Sequence, residues 1–351
     1  MVKLFYKDKP IIGLDISQTG IKAMAIDPKK WLVLGYGSVD LDPAKVQASL
    51  ESEDTYLADN IRSLLKDKIV GSLGSNHTII GIPASRTFSR TFSVPLKAEN
   101  NLKEAVELEV DQYIPMPISS LYVDYEIISR TKEEITVVMT AAPKKLVDSS
   151  MKAAQEAGLR PIMIEPSINA VARVLESTED AHLTTLIIDI GPASTDIAVL
   201  ANGVIRVSGG IGIGGNTFTL DIAKRLNIAL ENAHQLKVLN GLNAGPRQAK
   251  ITAAITPSLQ RITSEVRKVI RYYNERLNDD QKIEQVLVVG GGSNVPGIGD
   301  YFTNELVMAA RVAIPWQKLD FGKLDQPQKQ FRPRYITVAG LASVDQKDVW
   351  K

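Results

Sequence analysis

Residues 12–26 read IGLDISQTGIKAMAI, and residues 186–200 read LIIDIGPASTDIAVL. Each stretch is an apolar strand ending in Asp-Ile, a turn of small residues, and a second apolar strand. A third strand-like run follows each, over 31–39 in the first case and 204–208 in the second. Asp15 and Asp189 are separated by close to half of the 351 residues. A duplicated lobe, two related halves facing one another, is the economical reading.

The chemistry of the repeat lies in its turn. An Asp at the end of a buried strand can hold a hydrated magnesium ion, because hard cations take oxygen ligands and keep several waters. The backbone N–H groups and small hydroxyls that follow suit phosphate oxygens. Ser17, Gln18, Thr19 and Gly20 offer them in the first lobe; Gly191, Ser194 and Thr195 offer them in the second. An ordinary hairpin with a polar tip would read the same way, so neither turn decides the matter alone. Residues 286–299, VLVVGGGSNVPGIG, supply a third element: strand, glycine turn, then helix. Glycines at the carboxyl end of a strand let a planar ligand lie against the backbone. A fourth is Glu165, just before Pro166 at a strand-to-helix junction. It can orient a water toward a terminal phosphate, or simply favour the helix dipole.

The rest of the chain divides around these motifs. A helix carries Leu57, Ile61, Leu64, Leu65 and Ile69 on one face, and a strand is predicted over 77–82. Residues 83–163 read as an inserted αβ subdomain with strands over 87–94, 121–129 and 135–141. Its helices run over 100–114 and 143–157, the second closing at Gly158. Asn202-Gly203 is a strong hairpin signal. Thr256-Pro257 predicts an N-cap and first-turn proline opening a long helix. A last short helix is predicted over 335–343.

Composition narrows the function. Lys plus Arg number 41 against 40 Asp plus Glu, a net charge of +1, which gives no electrostatic case for nucleic acid. With no cysteine, disulfides, thiol catalysis and cysteine-ligated metals are excluded, and three scattered histidines argue against a zinc site. Lys7, Asp8 and Lys9 interrupt any signal peptide, and no apolar run reaches about 18 residues, so a soluble cytoplasmic protein is expected. The basic residues Arg261, Arg267, Lys268, Arg271 and Arg276 read as a solvated helix face. Lys323, Lys329, Arg332 and Arg334 fall in a late loop, a contact site or merely a soluble one.

The four elements, in this order, resemble the actin-like ATPase superfamily, which includes actin, sugar kinases and the heat-shock chaperone ATPase. Residues 106–117 (VELEVDQYIPMP) followed by 121–125 (LYVDY), 165–170 (EPSINA), and 214–223 (GGNTFTLDIA) followed by 233–237 (AHQLK) are similar to the PilM family of type IV pilus assembly proteins. That family is itself similar to the cell-division protein FtsA. The resemblance implies an α/β, two-lobed actin-like fold (ribonuclease-H-like and duplicated) with an inserted αβ subdomain and a helical lid. On that scheme 1–82 is the first lobe and 83–163 the insert. Residues 164–209 and 283–334 form the second lobe, 210–282 the lid, and 335–351 a helix returning to the first lobe.

The resemblance further implies ATP and Mg2+ as ligands. Asp15 and Asp189 would hold the metal, largely through water. Gln18, Thr19, Ser194 and Thr195 would contact phosphate, Ser17, Gly20, Lys22 and Gly191 would also bind the nucleotide, and Asp196 would add a second-lobe carboxylate. Gly214, Gly215 and Lys237 would come from the lid, and Gly290, Gly291, Gly292 and Asn294 from the adenosine side. Glu165 would be the catalytic residue of an ATPase that is slow at most. Ser17 stands where relatives usually carry glycine, His234 replaces a lid glutamate, and Pro192 stiffens the second turn. The implied partner is the N-terminal cytoplasmic peptide of a PilN-like inner-membrane protein, with Tyr113, Ile114, Pro115 and Tyr122 in the matching stretch. Pilus assembly and retraction ATPases and self-association are further implied partners, at the inner face of the membrane. A small-molecule kinase and a division scaffold are the competing readings. The tail after Val344 carries charges on every face, against a membrane-targeting helix.

Overall fold

The structure, a computed structural model, describes residues 9–52, 54–180, 182–243, 248–277, 281–344 and 349. The expectations for residues 1–8 and for 345–348, 350 and 351 fall outside these. The chain folds as two units, each with its own sheet.

The first unit holds residues 1–83, 145–180 and 314–351. Its six-stranded sheet runs β4-β3-β2-β1-β5-β9. The meander is β1 (Ile12–Ser17), β2 (Gly20–Asp27) and β3 (Leu32–Asp40), with the two-residue β4 (Val70–Gly71) beside it; β5 (His77–Ile82) and β9 (Arg160–Pro166) extend the other side in parallel. Every residue of β5 is buried. Burial on both faces is what a continuous apolar run in a parallel segment encodes. Alternate residues then serve opposite faces. Ile12, Leu14, Ile21 and Ile80 pack with α1 (Pro43–Ser52), α2 (Tyr56–Asp67) and α4 (Lys144–Glu156). Ile11 and Ile79 pack with α5 (Ser167–Thr178) and α10 (Ile336–Ala342). Gly340 lets α10 meet α5 backbone to backbone, since a Cβ there would lie 2.0 Å from the Ala170 carbonyl oxygen.

The second unit holds residues 84–144 and 181–313, around an eight-stranded sheet of order β14-β13-β10-β11-β12-β6-β8-β7. β10 (Thr185–Ile190), β11 (Thr195–Ala201) and β12 (Val204–Ile211) repeat the meander, and β13 (Gln285–Val289) and β14 (Ala310–Val312) add to β10 in parallel. Asn202 and Gly203 both have positive φ (52° and 74°), the geometry a two-residue hairpin turn requires. Leu186, Ile188, Ile190, Val286 and Val288 face α6 (Gly215–Leu226), α8 (Gln248–Arg276) and α9 (Ile298–Leu306). α7 (Leu230–Leu239) packs on α6. The insert supplies β6 (Phe88–Pro95), β7 (Leu121–Arg130) and β8 (Glu134–Pro143), backed by α3 (Leu102–Tyr113) through Val106 and Val110.

Three expectations are corrected. The insert is shorter than 83–163: α4 and β9 belong to the first unit, where Ala153 and Ala154 pack under β1 and β9 pairs with β5. Likewise α5 and residues 314–334, expected in the second lobe, lie in the first unit. Pro257 does not open its helix but sits inside α8. It is tolerated because both Pro257 and Ala253, whose carbonyl loses its partner, are exposed to water. An interior proline still costs helix stability, so Pro257→Ala is expected to raise stability by about 1–3 kcal/mol. Urea unfolding reads it directly; an unchanged or lower midpoint would mean the proline's bend is needed for packing.

Candidate functional site

The first unit's hairpin closes tightly. Ser17 donates its hydroxyl to the Gly20 carbonyl at 2.8 Å, so that group braces the turn. Asp15, 7% exposed, faces Lys22 directly across β1 and β2, and Lys22 Nζ donates to Asp15 Oδ2 at 2.7 Å. The strand register therefore pairs the two side chains predicted for metal and phosphate. Gln18 and Thr19 stand half-buried at the tip.

Glu165, predicted as the catalytic residue, is held in an ion pair. It is 9% exposed, and both carboxylate oxygens accept from Arg173, at 3.1 Å and 2.9 Å. Arg173 also donates to the Gly340 carbonyl at 2.5 Å, tying β9, α5 and α10 together. A carboxylate so engaged braces the fold at this junction. Arg173→Met would strand the buried charge and is expected to cost about 2–4 kcal/mol. The double variant Glu165→Leu/Arg173→Met should recover most of it. A double variant as unstable as the single one would show that the arginine acts through its other contacts.

In the second unit the predicted residues do gather. Around the carboxyl end of β10 lie the turn 191–194, the start of α6 and the loop after β13. A Cβ on Gly214 would lie 2.4 Å from the Gly191 carbonyl oxygen, and one on Gly292 would lie 2.2 Å from Ile190 Cγ2. On Gly215 it would lie 3.6 Å from Lys237 Nζ and 3.9 Å from Gly292 Cα. Three glycine segments and a lysine thus converge. Gly290 has φ +81°, and a Cβ there would come 2.2 Å from Asp189 Oδ1. The glycine is needed twice over, for its conformation and for the carboxylate beside it. Asn294 is exposed at the end of this loop.

Several hydroxyls and amides assigned to phosphate are already occupied. Thr195 is fully buried and donates to the Ile213 carbonyl at 2.7 Å. Gly215 and Asn216, at the start of α6, donate their N–H groups to the carbonyls of Gly191 and Pro192, at 2.9 and 2.8 Å. Lys237, 6% exposed, donates to the Gly215 carbonyl at 2.7 Å and the Thr219 hydroxyl at 2.8 Å. These bonds join α7 to α6. Asp196 accepts from the backbone N–H groups of Ala84 and Ser85, at 2.8 and 2.9 Å. The carboxylate at the strand end is Asp189, half-buried. Among the described residues no group of three or more His, Cys, Asp or Glu is gathered to hold a metal. A Mg2+ that keeps its waters and shares a phosphate needs only one or two carboxylates, which Asp189 fits.

The residues predicted for a partner peptide split. Ile114 belongs to the insert's core, whereas Tyr113, Pro115 and Tyr122 are exposed. Arg90, which nothing in the sequence singled out, has its guanidinium 3.8 Å from the Tyr113 ring and 4.2 Å from that of Tyr272. Burial pushes the Tyr272 hydroxyl up to about 12 and raises Glu109. The basic stripe on α8 is partly paired, Arg267 with Glu305 and Lys268 with Glu265. In the late loop Arg332 stacks on Trp316 and Arg334 on Phe331. Among the described residues no helix is long and apolar enough to cross a membrane.

Residues 13–345 match the family model described as type IV pilus assembly protein PilM. The chain belongs to the PilM family. Its fold is actin-like. A chain of the PilM-PilN type IV pilus biogenesis complex superposes with a TM-score of 0.76 at 23% identity, covering 95% of this chain and 97% of that one. MreB5 of Spiroplasma citri bound to ADP gives 0.55 at 16% identity, over 98% of both chains. In sequence, the cell division protein FtsA of Neisseria meningitidis serogroup B is 37% identical over 98 residues, 27% of this chain and 23% of that protein. The chaperone protein DnaK of Mycoplasma mobile is 23% identical over 314 residues, 74% of this chain and 52% of its own length. The matched stretches therefore span about half, or less, of these two relatives.

Proposed function

We propose that this PilM-family chain is an ATP-binding scaffold of the type IV pilus assembly machinery. The observation that carries the reading is the closeness of Gly191, Gly214, Gly215 and Gly292 to one another in the second unit, with Gly290 against Asp189. Bare backbone at a strand's carboxyl end admits a planar base and phosphates, and one carboxylate suits a hydrated cation. The resemblance extends a phosphate role to the tip of the first hairpin, Gln18 and Thr19, with Lys22. Glu165 is held by Arg173 at the β9–α5 junction, and the reading takes turnover to be slow at most.

On this reading the cytoplasmic N-terminal peptide of a PilN-like membrane protein docks through the insert, where Tyr113, Pro115 and Tyr122 are exposed. That peptide holds the chain at the inner face of the membrane and links it to the assembly ATPases. Calorimetry with Mg·ATP, with phosphate release followed on the same sample, tests the nucleotide half. Micromolar binding with negligible release is expected. No binding at millimolar Mg·ATP or Mg·ADP would overturn it, and sustained turnover would make the chain an enzyme. Titration with the PilN-like peptide tests the partner half.

A further inference from the structure

One row of residues crosses the second unit's sheet: Val289 of β13, Asp189 of β10, Asp196 of β11 and Gly210 of β12. At one end the row leads into Gly290, pressed against Asp189. At the other end a Cβ on Gly210 would lie 2.7 Å from Ser85 Cα and Cβ, so Ser85 rests on bare backbone. Between them, Asp196 accepts from Ala84 and Ser85 at 2.8 and 2.9 Å, with a different oxygen for each. Bonds from N–H to a carboxylate are about twice as strong as neutral ones. Ala84 and Ser85 are the first residues of the insert in this unit, and they open the turn Ala84–Arg86 that leads into β6.

Among the described residues the insert's strands and the meander share one ladder pair, Val207 with Arg90, and the Arg90 guanidinium lies 4.2 Å from the Tyr272 ring of α8. Beside it the Tyr272 hydroxyl donates to the Thr91 carbonyl at 2.8 Å. The side-chain oxygens of Thr91 and Ser208 are buried there without a hydrogen-bond partner. A seam with unsatisfied polar atoms is inexpensive to open. Asp196 is the carboxylate tie across it.

Asp189 and Asp196 are direct partners across β10 and β11, and like charges so placed repel. A cation or a neutral side chain at Asp189 removes that repulsion and lets Asp196 hold the turn more firmly. We propose that Asp196 is a positioning residue that fastens the insert to the row carrying Asp189, so that occupancy at Asp189 sets how tightly the insert is held. Only the ligand arm of this inference rests on the nucleotide reading.

Hydrogen–deuterium exchange on the full chain tests it. Mg·ATP should slow exchange over 84–91 and 206–210 several-fold. Asp189→Asn without nucleotide should slow the same segments. Asp196→Asn should speed them about tenfold and abolish the response to Mg·ATP. Gly210→Ala, which pushes Ser85 away without touching either carboxylate, should also speed them while β13 stays protected, so a failure of Asp196→Asn to fold would not blunt the test. Wild-type exchange in Asp196→Asn, or no change in Asp189→Asn, would overturn the proposal. So would Mg·ATP that binds by calorimetry yet leaves both segments unchanged. Absence of Mg·ATP binding would sink the nucleotide reading alone, since the two variants without nucleotide still decide this one.

Discussion

Gly340→Ala is expected to cost about 3 kcal/mol or more, enough to lower the urea midpoint sharply. The new Cβ would lie 2.0 Å from the Ala170 carbonyl oxygen and 2.5 Å from its carbon. Both are backbone atoms of α5, so no rotamer change relieves the clash. Separating the helices would also pull Arg173 away from the Gly340 carbonyl and disturb its ion pair with Glu165. Leu341 and Ala170, buried together against Ile79, would lose their packing. Gly212→Ala is the control, because a Cβ there meets nothing within 4 Å and φ is not positive. A Gly340→Ala protein as stable as the Gly212→Ala one would mean that α10 docks more loosely than this contact requires.

The sequence announces some of this and conceals the rest, for identifiable reasons. The strands over Thr185–Ile190, Gln285–Val289 and His77–Ile82 fall where apolar runs bounded by turn residues place them. Such runs are strong signals because burial on two faces leaves no room for polar residues. Asn202-Gly203 was legible because a two-residue hairpin demands positive φ at both positions. Pro257 misled because a proline at a helix start and one on an exposed face inside a helix look alike in one dimension. The insert's end misled because α4 has an amphipathic pattern that fits either core; only pairing of β9 with β5 decides it.

The site was legible as a set of glycines and acids, and not as a set of roles. Thr195, Lys237, Asp196 and Glu165 are the residue types that phosphate and metal sites use. In the structure their polar atoms hold Ile213, Gly215 with Thr219, the insert's first amides, and Arg173. Hydrogen-bond partners far apart in sequence cannot be read from spacing. In the structure a Cβ would press on the Gly191 carbonyl at Gly214, on the Ile190 side chain at Gly292 and on the Asp189 carboxylate at Gly290. On the proposed reading the function is written mainly in absent side chains, with Asp189 beside Gly290 as the carboxylate for a cation.

Asp189→Asn should move affinity and stability in opposite directions, and that divergence identifies its role. The amide keeps the size of the carboxylate, so the close fit against Gly290 survives. It removes the negative charge that would hold a hydrated cation. Mg·ATP affinity is expected to fall at least about 100-fold, which is roughly 2.7 kcal/mol. Without ligand the same change removes a charge directly opposite Asp196, so thermal stability should hold or rise, by up to about 1 kcal/mol. Calorimetry and thermal unfolding on one preparation read both quantities. If Asp189 were instead a structural carboxylate, the variant would lose stability and keep its affinity. Loss of both together would place Asp189 among the braces, with Glu165. Weaker binding in a protein no less stable would mark Asp189 as a carboxylate whose charge serves the ligand and not the fold.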